Sequence, residues 1–393
     1  MSQITLVRST PAPTDRVTEP VATAWTTPTY VEISPLLVRQ MTGIGRFVAR
    51  LVEALSRLTP LRLVNTIQGE HAENMRLSNA LPCGQEIIVP RGSLPPADGD
   101  VFRWARKVIH GPRKAHDIEL ARRSAAVYTM LRPRERHFRR ETAILYDFTP
   151  LVLPWAHVEE TKVQFGRLFC ESALACDHMI AISQATKQDA AWMCTASNDR
   201  VIVGYPGPSL CVHRHCSQES VARRKDVLLV VSALEPRKNG MFLLDWFLNT
   251  SALSRECELW WVGPQGWLFH KLLNKRRRQQ GRKVHFLGMV SDHSLCKLYR
   301  QATMSVYPSL YEGFGFPVLD SLRHGTPVLC GFNSSLQEFV GPGVYYFDSC
   351  DPLSLDQACS ELMAGRQRTL ERRDLDSVFS WDLLAQKIVR LCA

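Results

Sequence analysis

Short apolar runs alternate with amphipathic stretches in the second half of the chain. Residues 227–231 read Val-Leu-Leu-Val-Val, a pattern typical of a parallel strand that is covered on both faces. Apolar positions with helical spacing follow at Met241, Leu244, Phe247 and Leu248. Further strands are predicted at residues 259–262, 284–287, 304–307, 326–330 and 344–347. This alternation of strand and helix predicts a doubly wound parallel sheet.

The first half alternates in the same way, with less regular spacing. Strands are predicted at residues 30–34, 61–67, 143–148, 179–183 and 201–205. Helices are predicted at residues 43–57 and 159–176. Residues 68–140 are basic and have no clear period, so we expect them to be irregular. The pattern indicates a second sheet of the same kind.

Length and composition suit two such domains. The chain has 393 residues, of which 45% are hydrophobic and 22% charged, as in ordinary globular proteins. We expect a disordered Thr- and Pro-rich leader at 1–29 and Rossmann-like domains at 30–210 and 211–380. A final amphipathic helix at 381–393 would pack back toward the first domain. No run approaches the roughly 20 apolar residues of a membrane span, and the leader lacks a signal-peptide core, so we expect a cytoplasmic protein.

The cysteines favour reduced thiols over a metal site. Twelve are scattered along the chain without a C-x-x-C pair. Residues 211–216, Cys-Val-His-Arg-His-Cys, offer four potential ligands in six positions. Zinc sites usually divide four ligands into two spaced pairs, because so tight a cluster cannot easily surround one tetrahedral ion. We interpret this segment as a surface loop and expect no metal.

Basic residues are concentrated between positions 103 and 140. The net charge of the whole chain is +10. This stretch contains Arg103, Arg106, Lys107, Arg113, Lys114, Arg122, Arg123, Arg132, Arg134, Arg136, Arg139 and Arg140, opposed by Asp117, Glu119 and Glu135. Such a stretch suits phosphate groups, acidic lipid headgroups or nucleic acid, and it is as typical of a solvated face as of a binding surface.

The loop after residue 231 carries two adjacent cations. It reads Ser-Ala-Leu-Glu-Pro-Arg-Lys-Asn-Gly from Ser232 to Gly240. Ligands of a doubly wound sheet bind beyond the carboxyl ends of its strands, where this loop would lie. Arg237 offers a bidentate fork and Lys238 a point charge, which together suit a diphosphate beside a helix N-terminus. An Arg-Lys pair is common on surfaces, so this loop alone indicates little.

A second loop, after Tyr307, combines glycines with carboxylates. Gly313 and Gly315 allow the backbone to approach a ligand closely. Glu312 and Asp320 stand eight positions apart. Carboxylates beside a phosphate site suit hydroxyl groups, such as those of a sugar and a ribose. For either half alone, a glycine-rich turn with surface acids is the preferred interpretation, but both loops in one domain are a specific combination.

These segments resemble the retaining glycosyltransferases of family four. The resemblance rests on residues 235–239, 307–317, 325–328, 33–37, 42–47, 147–151 and 180–187, and it spans the chain from about residue 30 onward. It implies the GT-B fold, an α/β fold in which two Rossmann-like doubly wound parallel-sheet domains enclose the active site in the cleft between them.

The resemblance also implies roles for single residues. Arg237 and Lys238 would neutralise the donor diphosphate, and Glu312 would contact donor sugar hydroxyls; these three would be the catalytic residues. Asp320 would meet the ribose. Tyr146 and Asp147 would lie on the acceptor side. Further donor contacts would come from Gly43, Gly45, Ser232, Gly263, Met289, Val290, Gly313, Phe314, Gly315 and Phe316.

Two positions depart from the family pattern. Asp320 stands where the family usually has Glu, and its shorter side chain withdraws the carboxylate by roughly one bond. Tyr146 stands where many relatives have His, so the usual basic ring is missing on the acceptor side. Asp147 is suited either to an acceptor hydroxyl or to capping the end of a strand.

The resemblance implies a metal-independent, retaining hexosyltransferase without a cofactor. A hexose, mannose as the first choice, would move from a GDP- or UDP-hexose to a glycan or polyprenyl-diphosphate-linked acceptor in polysaccharide biosynthesis. The basic stretch would contact an anionic membrane at its inner face. The alternatives are a sugar-nucleotide epimerase, a phosphorylase, or a non-catalytic protein that binds nucleotide or nucleic acid. Nucleic acid is not an expected partner.

Overall fold

Two large sheets form the described part of the protein. The computed structural model describes residues 27–37, 42–65, 67–68, 76–77, 85–89, 113–115, 117–210, 226–264, 282–365 and 372–393. Residues 1–26 of the predicted leader and the cysteine-containing segment 211–216 lie outside these ranges.

The first sheet belongs to the N-terminal half. The strands of this half are β1 (Thr29–Glu32), β2 (Leu61–Val64), β3 (Ile67–Gln68), β4 (Arg76–Leu77), β5 (Gln85–Val89), β6 (Arg113–Ala115), β7 (Ala125–Tyr128), β8 (Arg140–Leu145), β9 (His178–Ala181) and β10 (Val201–Val203). Eight of them form one sheet in the order β10-β9-β8-β7-β1-β2-β5-β6. The strands from β10 to β2 run parallel, whereas β5 and β6 pair antiparallel at one edge. β3 and β4 form a separate ribbon.

Helices follow the strands of this half: α1 (Gly43–Ser56), α2 (Ile118–Arg123), α3 (Thr149–Val152), α4 (Glu159–Val163), α5 (Cys170–Leu174) and α6 (Gln184–Met193). Thr42 caps α1, since its Oγ1 accepts a hydrogen bond from the Gly45 N–H at 3.1 Å. A π-helical stretch, Gln164–Phe169, separates α4 from α5, so the helix predicted at 159–176 is interrupted.

The second sheet is parallel throughout. Its strands are β11 (Val227–Val231), β12 (Glu258–Val262), β13 (Val284–Gly288), β14 (Met304–Tyr307), β15 (Val328–Gly331) and β16 (Val344–Phe347), in the order β13-β12-β11-β14-β15-β16. The helices of this half are α7 (Gly240–Asn249), α8 (Asp292–Gln301), α9 (Phe316–Arg323), α10 (Pro352–Ala364), α11 (Arg372–Val378) and α12 (Trp381–Cys392). The predicted fold class, two doubly wound α/β sheets, is confirmed.

The prediction that residues 68–140 are irregular is wrong for the part of this range that the structure describes. β7 lies in the middle of the first sheet, hydrogen-bonded to β1 and β8, and β5 and β6 extend the same sheet. All four residues of β7 are buried. The strand escapes detection because its apolar run is only Ala-Ala-Val-Tyr and basic residues precede it.

Several predicted strands also end earlier than expected, because side chains turn the backbone. The strand predicted at 143–148 ends at Leu145, since Asp147 accepts hydrogen bonds from the Thr149 N–H at 3.0 Å and hydroxyl at 2.6 Å. The strand predicted at 30–34 ends at Glu32, because Pro35 lies in a 3-10 turn, Ser34–Leu36.

Helix α12 joins the two halves. It follows the second sheet in the chain but packs against α1 and β8 of the first. Leu384, Ala385 and Ile388 are buried in a core that also contains Val31 and Leu51. The Lys387 ammonium donates a hydrogen bond to the Val203 carbonyl at 2.9 Å. The last helix therefore completes the core of the first domain.

Candidate active site

A cavity of about 610 Å³ lies between the two sheets. The predicted site residues that line it are Gly43, Tyr146, Asp147, Ser232, Arg237, Lys238, Gly263, Met289, Val290, Glu312, Gly313, Phe314, Gly315, Phe316 and Asp320. Gly45 is not part of the lining; it is buried in the first turn of α1, where Thr42 binds its N–H. Loops that follow the strands of both sheets thus meet in one cleft.

The two predicted cations share one carboxylate. Arg237 and Lys238 lie on a 3-10 turn, Pro236–Lys238, and the Arg237 carbonyl accepts a hydrogen bond from the Leu310 N–H at 2.8 Å. The Lys238 ammonium binds Oε1 of Glu312. Nη1 of Arg237 lies 3.1 Å from Oε2 of the same carboxylate. The structure therefore brings the three predicted catalytic side chains into direct contact.

This pairing keeps Glu312 charged although it is buried. Burial opposes ionisation, but the adjacent Lys238 and Arg237 outweigh it and lower the pKa of Glu312 to about 2. Burial works against the charge of Arg237 as well, yet Glu312, Asp147 and Glu235 together raise the Arg237 pKa. The cluster therefore holds ionised groups of both signs at the cleft.

The backbone of Glu312 is held on both sides. Its N–H donates to Oγ of Ser334 at 2.9 Å, and the Ser335 hydroxyl donates to its carbonyl at 2.8 Å. The next residue, Gly313, lies so close to the first domain that a Cβ would come within 2.1 Å of the Tyr146 carbonyl oxygen. Only glycine fits there, so this loop touches the opposite domain through its main chain.

Asp320 also lines the cavity, but its hydrogen bonds come from neutral donors. Its carboxylate accepts from the Ser209 N–H at 3.1 Å, from the Leu210 N–H at 3.3 Å and from the Ser209 hydroxyl. The side chain is 2% exposed, and burial raises its pKa to about 6 despite these donors. Its predicted contact with a ribose stays a prediction.

Tyr146 and Asp147, the two residues predicted on the acceptor side, both make contacts within the protein. The Tyr146 ring packs edge-on against Phe47, with ring centroids 5.1 Å apart, and burial raises the pKa of its hydroxyl. Tyr146 therefore lines the cavity with a largely buried side chain. Asp147 lines the cavity and also turns the chain at the end of β8, so the capping interpretation applies to it.

Comparisons with known proteins agree with this geometry. Residues 225–365 match a family model described as glycosyl transferases group 1. The chain is 34% identical over 356 residues to the O-antigen chain mannosyltransferase B of Escherichia coli, covering 83% of this chain and 87% of that protein. The chain belongs to the group 1 glycosyl transferases.

Other relatives of this glycosyl transferase match over shorter stretches. It is 25% identical over 228 residues to the O-antigen chain mannosyltransferase RfbU of Salmonella typhimurium, covering 57% of this chain and 61% of that protein. It is 24% identical over 243 residues to the serotype-specific mannosyltransferase WbdA of Escherichia coli, covering 56% of this chain and 29% of WbdA. The chain thus spans less than a third of WbdA.

Solved structures share the fold of this glycosyl transferase. Sucrose-phosphate synthase from Thermosynechococcus elongatus superimposes with a TM-score of 0.63 at 17% identity, covering 93% of this chain and 98% of that one. HepE of Anabaena, in complex with UDP and glucose, gives a TM-score of 0.59 at 15% identity over the same shares. At these identities the likeness concerns the fold.

The cleft of this glycosyl transferase contains residues that the sequence pattern missed. Arg46 of α1 lines the cavity and forms an ion pair with Asp292 of α8 at 2.7 Å, across the cleft. Ser209 lines the cavity beside Asp320. His157 is not part of the lining; burial, followed by the charge of Arg237, lowers the pKa of its ring. Arg46 lies inside the segment 42–47 that carries the family resemblance, but its partner, like that of Ser209, is distant in sequence.

Several arginines of the basic stretch form ion pairs or hydrogen bonds within the protein. Arg132 is buried and its Nε lies 2.6 Å from the Glu141 carboxylate. Arg136 pairs with Asp177 at 2.6 Å, and Arg139 donates to the Ala393 carbonyl oxygen at 2.6 Å. The expectation that the whole stretch faces an anionic partner is therefore wrong for Arg132. Positions 103–112 lie outside the described residues.

The structure contains no arrangement that would hold a metal ion within its described ranges, judged by groups of three or more His, Cys, Asp or Glu side chains. None of the helices described here has the length and apolar character needed to cross a bilayer.

Proposed function

We propose that this glycosyl transferase moves a hexose, with mannose as the first candidate, from a GDP- or UDP-hexose to a glycan or polyprenyl-diphosphate-linked acceptor in polysaccharide biosynthesis. The observation that carries the proposal is the contact of Arg237, Lys238 and Glu312 in a cavity between two domains. A volume of about 610 Å³ falls in the usual range for ligand sites. Mannosyltransferase relatives support the choice of sugar.

In the proposed mechanism the configuration at the sugar carbon is retained. An acceptor oxygen attacks that carbon on the face from which the nucleotide diphosphate leaves. The new C–O bond forms as the bond to the phosphate oxygen breaks, and the departing phosphate takes the acceptor proton. Arg237 and Lys238 neutralise the charge that builds on the phosphate, an effect worth about 2.7–4 kcal/mol per donor. No protein nucleophile and no metal ion are required.

Glu312 has a separate task in this mechanism. Its low pKa keeps it ionised at neutral pH, so it accepts hydrogen bonds from donor sugar hydroxyls. Because it already contacts both cations, a bound diphosphate would share them with it. This arrangement would place the sugar between the carboxylate and the main chain of Gly313.

The first experiment measures the thermal stability of the full chain with GDP-mannose, UDP-glucose and other nucleotide sugars, without added metal. A ligand at about 100 times its dissociation constant should stabilise the protein by roughly 2.7 kcal/mol. We expect a shift for one nucleotide class, abolished in Lys238→Ala and kept in Lys283→Ala, which changes an exposed lysine. No shift with any sugar nucleotide would contradict the proposal and favour a non-catalytic protein.

A transfer assay then tests the chemistry. The donor identified by stability is supplied with polyprenyl-diphosphate-linked glycans, and the product anomer is determined by NMR. Retention of configuration without added metal supports the mechanism, whereas inversion contradicts it. Free sugar or sugar phosphate formed without an acceptor would instead favour an epimerase or a phosphorylase.

We also propose peripheral contact with an anionic membrane, at the cytoplasmic side, through exposed members of the basic stretch. Arg134 is exposed, in contrast to Arg132. Arg134→Glu should weaken sedimentation with vesicles that contain phosphatidylserine, whereas Arg255→Glu, an exposed change in the second domain, should not. Equal binding by both variants would contradict this contact.

A further inference from the structure

Glu338 of the second domain caps a helix of the first. Its carboxylate accepts hydrogen bonds from the backbone N–H groups of Gln184 and Ala185, each at 2.9 Å. The Tyr205 hydroxyl donates to the same carboxylate at 2.7 Å. These N–H groups open α6, and a negative charge is favourable at a helix N-terminus. The helix therefore receives part of its cap from across the cleft.

The segment that carries Glu338 also holds Glu312. Glu338 ends the 3-10 turn Ser334–Glu338, and the turn begins with the two serine hydroxyls that bind the Glu312 N–H and carbonyl. Asn333, just before the turn, donates to the Ser309 carbonyl at 2.8 Å. One end of this turn thus fixes the main chain of Glu312, and the other end reaches into the first domain.

Helix α6 touches the residues on either side of Glu312 as well. The Thr186 hydroxyl lies 3.2 Å from the Gly313 carbonyl oxygen. The Tyr311 hydroxyl donates to the Asp189 carboxylate, with oxygens at 2.6 and 2.7 Å. The loop of Glu312 is therefore connected to α6 directly, through its neighbours, and indirectly, through Glu338.

We propose that Glu338 is a positioning residue that links closure of the two domains to the placement of Glu312. Each hydrogen bond described for its carboxylate reaches the first domain, so the contact exists only when the domains lie together. When they separate, the turn that holds Glu312 loses its anchor on α6. The inference rests on the proposed function, because that function gives Glu312 its role at the donor sugar.

The test compares the full chain with Glu338→Gln, which keeps the size of the side chain and removes its charge. We expect kcat for hexose transfer to fall roughly ten- to hundredfold, as for a misplaced reacting group. The dissociation constant of the donor should change little, because Arg237 and Lys238 remain in place. Small-angle X-ray scattering in the presence of GDP or UDP should show a larger radius of gyration for the variant than for the wild type.

Asp117→Asn is the matched control, because it also removes the charge of a carboxylate that caps a helix of the first domain. Asp117 caps α2, since its Oδ1 accepts from the Leu120 N–H at 2.9 Å, and it does not line the cavity. This variant should lose stability and keep kcat. The inference is overturned if Asp117→Asn loses as much kcat as Glu338→Gln, or if Glu338→Gln transfers hexose at the wild-type rate. It is equally overturned if donor affinity falls as much as kcat, which would indicate a general loss of structure.

Failure of the proposed function and failure of the inference about Glu338 give different experimental results. A wild-type chain that transfers no hexose contradicts the function, whereas the scattering comparison still tests the closure contact. Equal radii of gyration for the wild type and Glu338→Gln would overturn the inference by themselves.

Discussion

Glu312 and Asp320 line the same cavity, and both are almost fully buried, yet their surroundings act on them in opposite ways. Glu312 is in contact with Lys238 and Arg237, and its pKa falls to about 2. Asp320 is hydrogen-bonded by the main chain and hydroxyl of the segment that ends the first domain, and its pKa rises to about 6.

In this cleft, hydrogen bonds from neutral groups do not offset the effect of burial on a carboxyl pKa, whereas two cations do. Burial raises the pKa of any carboxyl group, because the charged form loses its hydration. With two N–H groups and one hydroxyl as donors, the pKa of Asp320 stays above the usual range of an aspartate. The two cations lower the pKa of Glu312 below the usual range of a glutamate. The carboxylate that we propose binds sugar hydroxyls is thus kept ionised by Arg237 and Lys238, which are also the proposed diphosphate ligands.

The largest effect is expected from Glu312→Gln. Removing one partner of a buried ion pair leaves the cations uncompensated and typically costs about 3–5 kcal/mol in the free energy of unfolding. Chemical denaturation measures this cost. Glu235→Gln is the control, because Glu235 pairs with the same Arg237 at 3.2 Å but is more exposed. Equal costs for the two variants would show that the cations do not depend on Glu312.

Asp320→Asn should change the pH dependence of stability. Raising the pKa of this carboxyl from 3.8 to about 6 corresponds to roughly 3 kcal/mol. Between these pH values the folded state binds more protons than the unfolded state, so Asp320 makes the wild type lose stability as the pH rises from about 4 to 6. The variant should lack this loss when unfolding free energies are compared across that window. Parallel curves for variant and wild type would contradict the raised pKa.

Glu312 contributes with the opposite sign. Its lowered pKa stabilises the folded state above about pH 4.5, and that contribution disappears as the pH falls toward 2. The contributions of the two carboxylates to stability therefore change with pH in opposite directions. Measuring the free energy of unfolding across the pH range distinguishes them.

Ser209→Ala should have a moderate effect. It removes the hydroxyl donor of Asp320 and leaves the two N–H donors, and a hydrogen bond to a charged group is worth about 1.5–3 kcal/mol. We expect a loss near the lower bound when the free energy of unfolding is measured at neutral pH. The same substitution in an Asp320→Asn background should cost less, and an equal cost there would disconnect Ser209 from the charge of Asp320.

The smallest effect is expected for the ion pair of Arg46 and Asp292, which is partly exposed at the cleft. A double-mutant cycle of Arg46→Gln and Asp292→Asn should give a coupling of about 0.2–1 kcal/mol that decreases at high salt. A coupling free energy as large as the cost of Glu312→Gln would contradict the expectation that a partly exposed ion pair contributes less to stability than a buried one.

The sequence predicted the parts of the site that lie within one motif. Arg237, Lys238 and the loop from Glu312 to Phe316 all line the cavity, because strand ends of a parallel sheet bring neighbouring loops together. Contacts between distant segments escaped it. Ser209 meets Asp320 from 111 positions away, and Tyr205 meets Glu338 from 133. No local pattern records such pairs.

Side-chain geometry set a second limit. A missing basic ring at Tyr146 was evident from the sequence, but the packing of its ring against Phe47 was not. The strand β7 was missed because a four-residue buried run carries too little periodicity, although its position between β1 and β8 makes it central to the first sheet.

The path of α12 has a consequence for how the chain acquires its structure during synthesis. Leu384, Ala385 and Ile388 complete the core of the first domain, but the ribosome adds them only after the whole second sheet. Multidomain chains generally fold domain by domain from the N-terminus as they emerge. The core that α12 shares with α1 and the first sheet therefore cannot be complete until the second sheet and α12 have been synthesised.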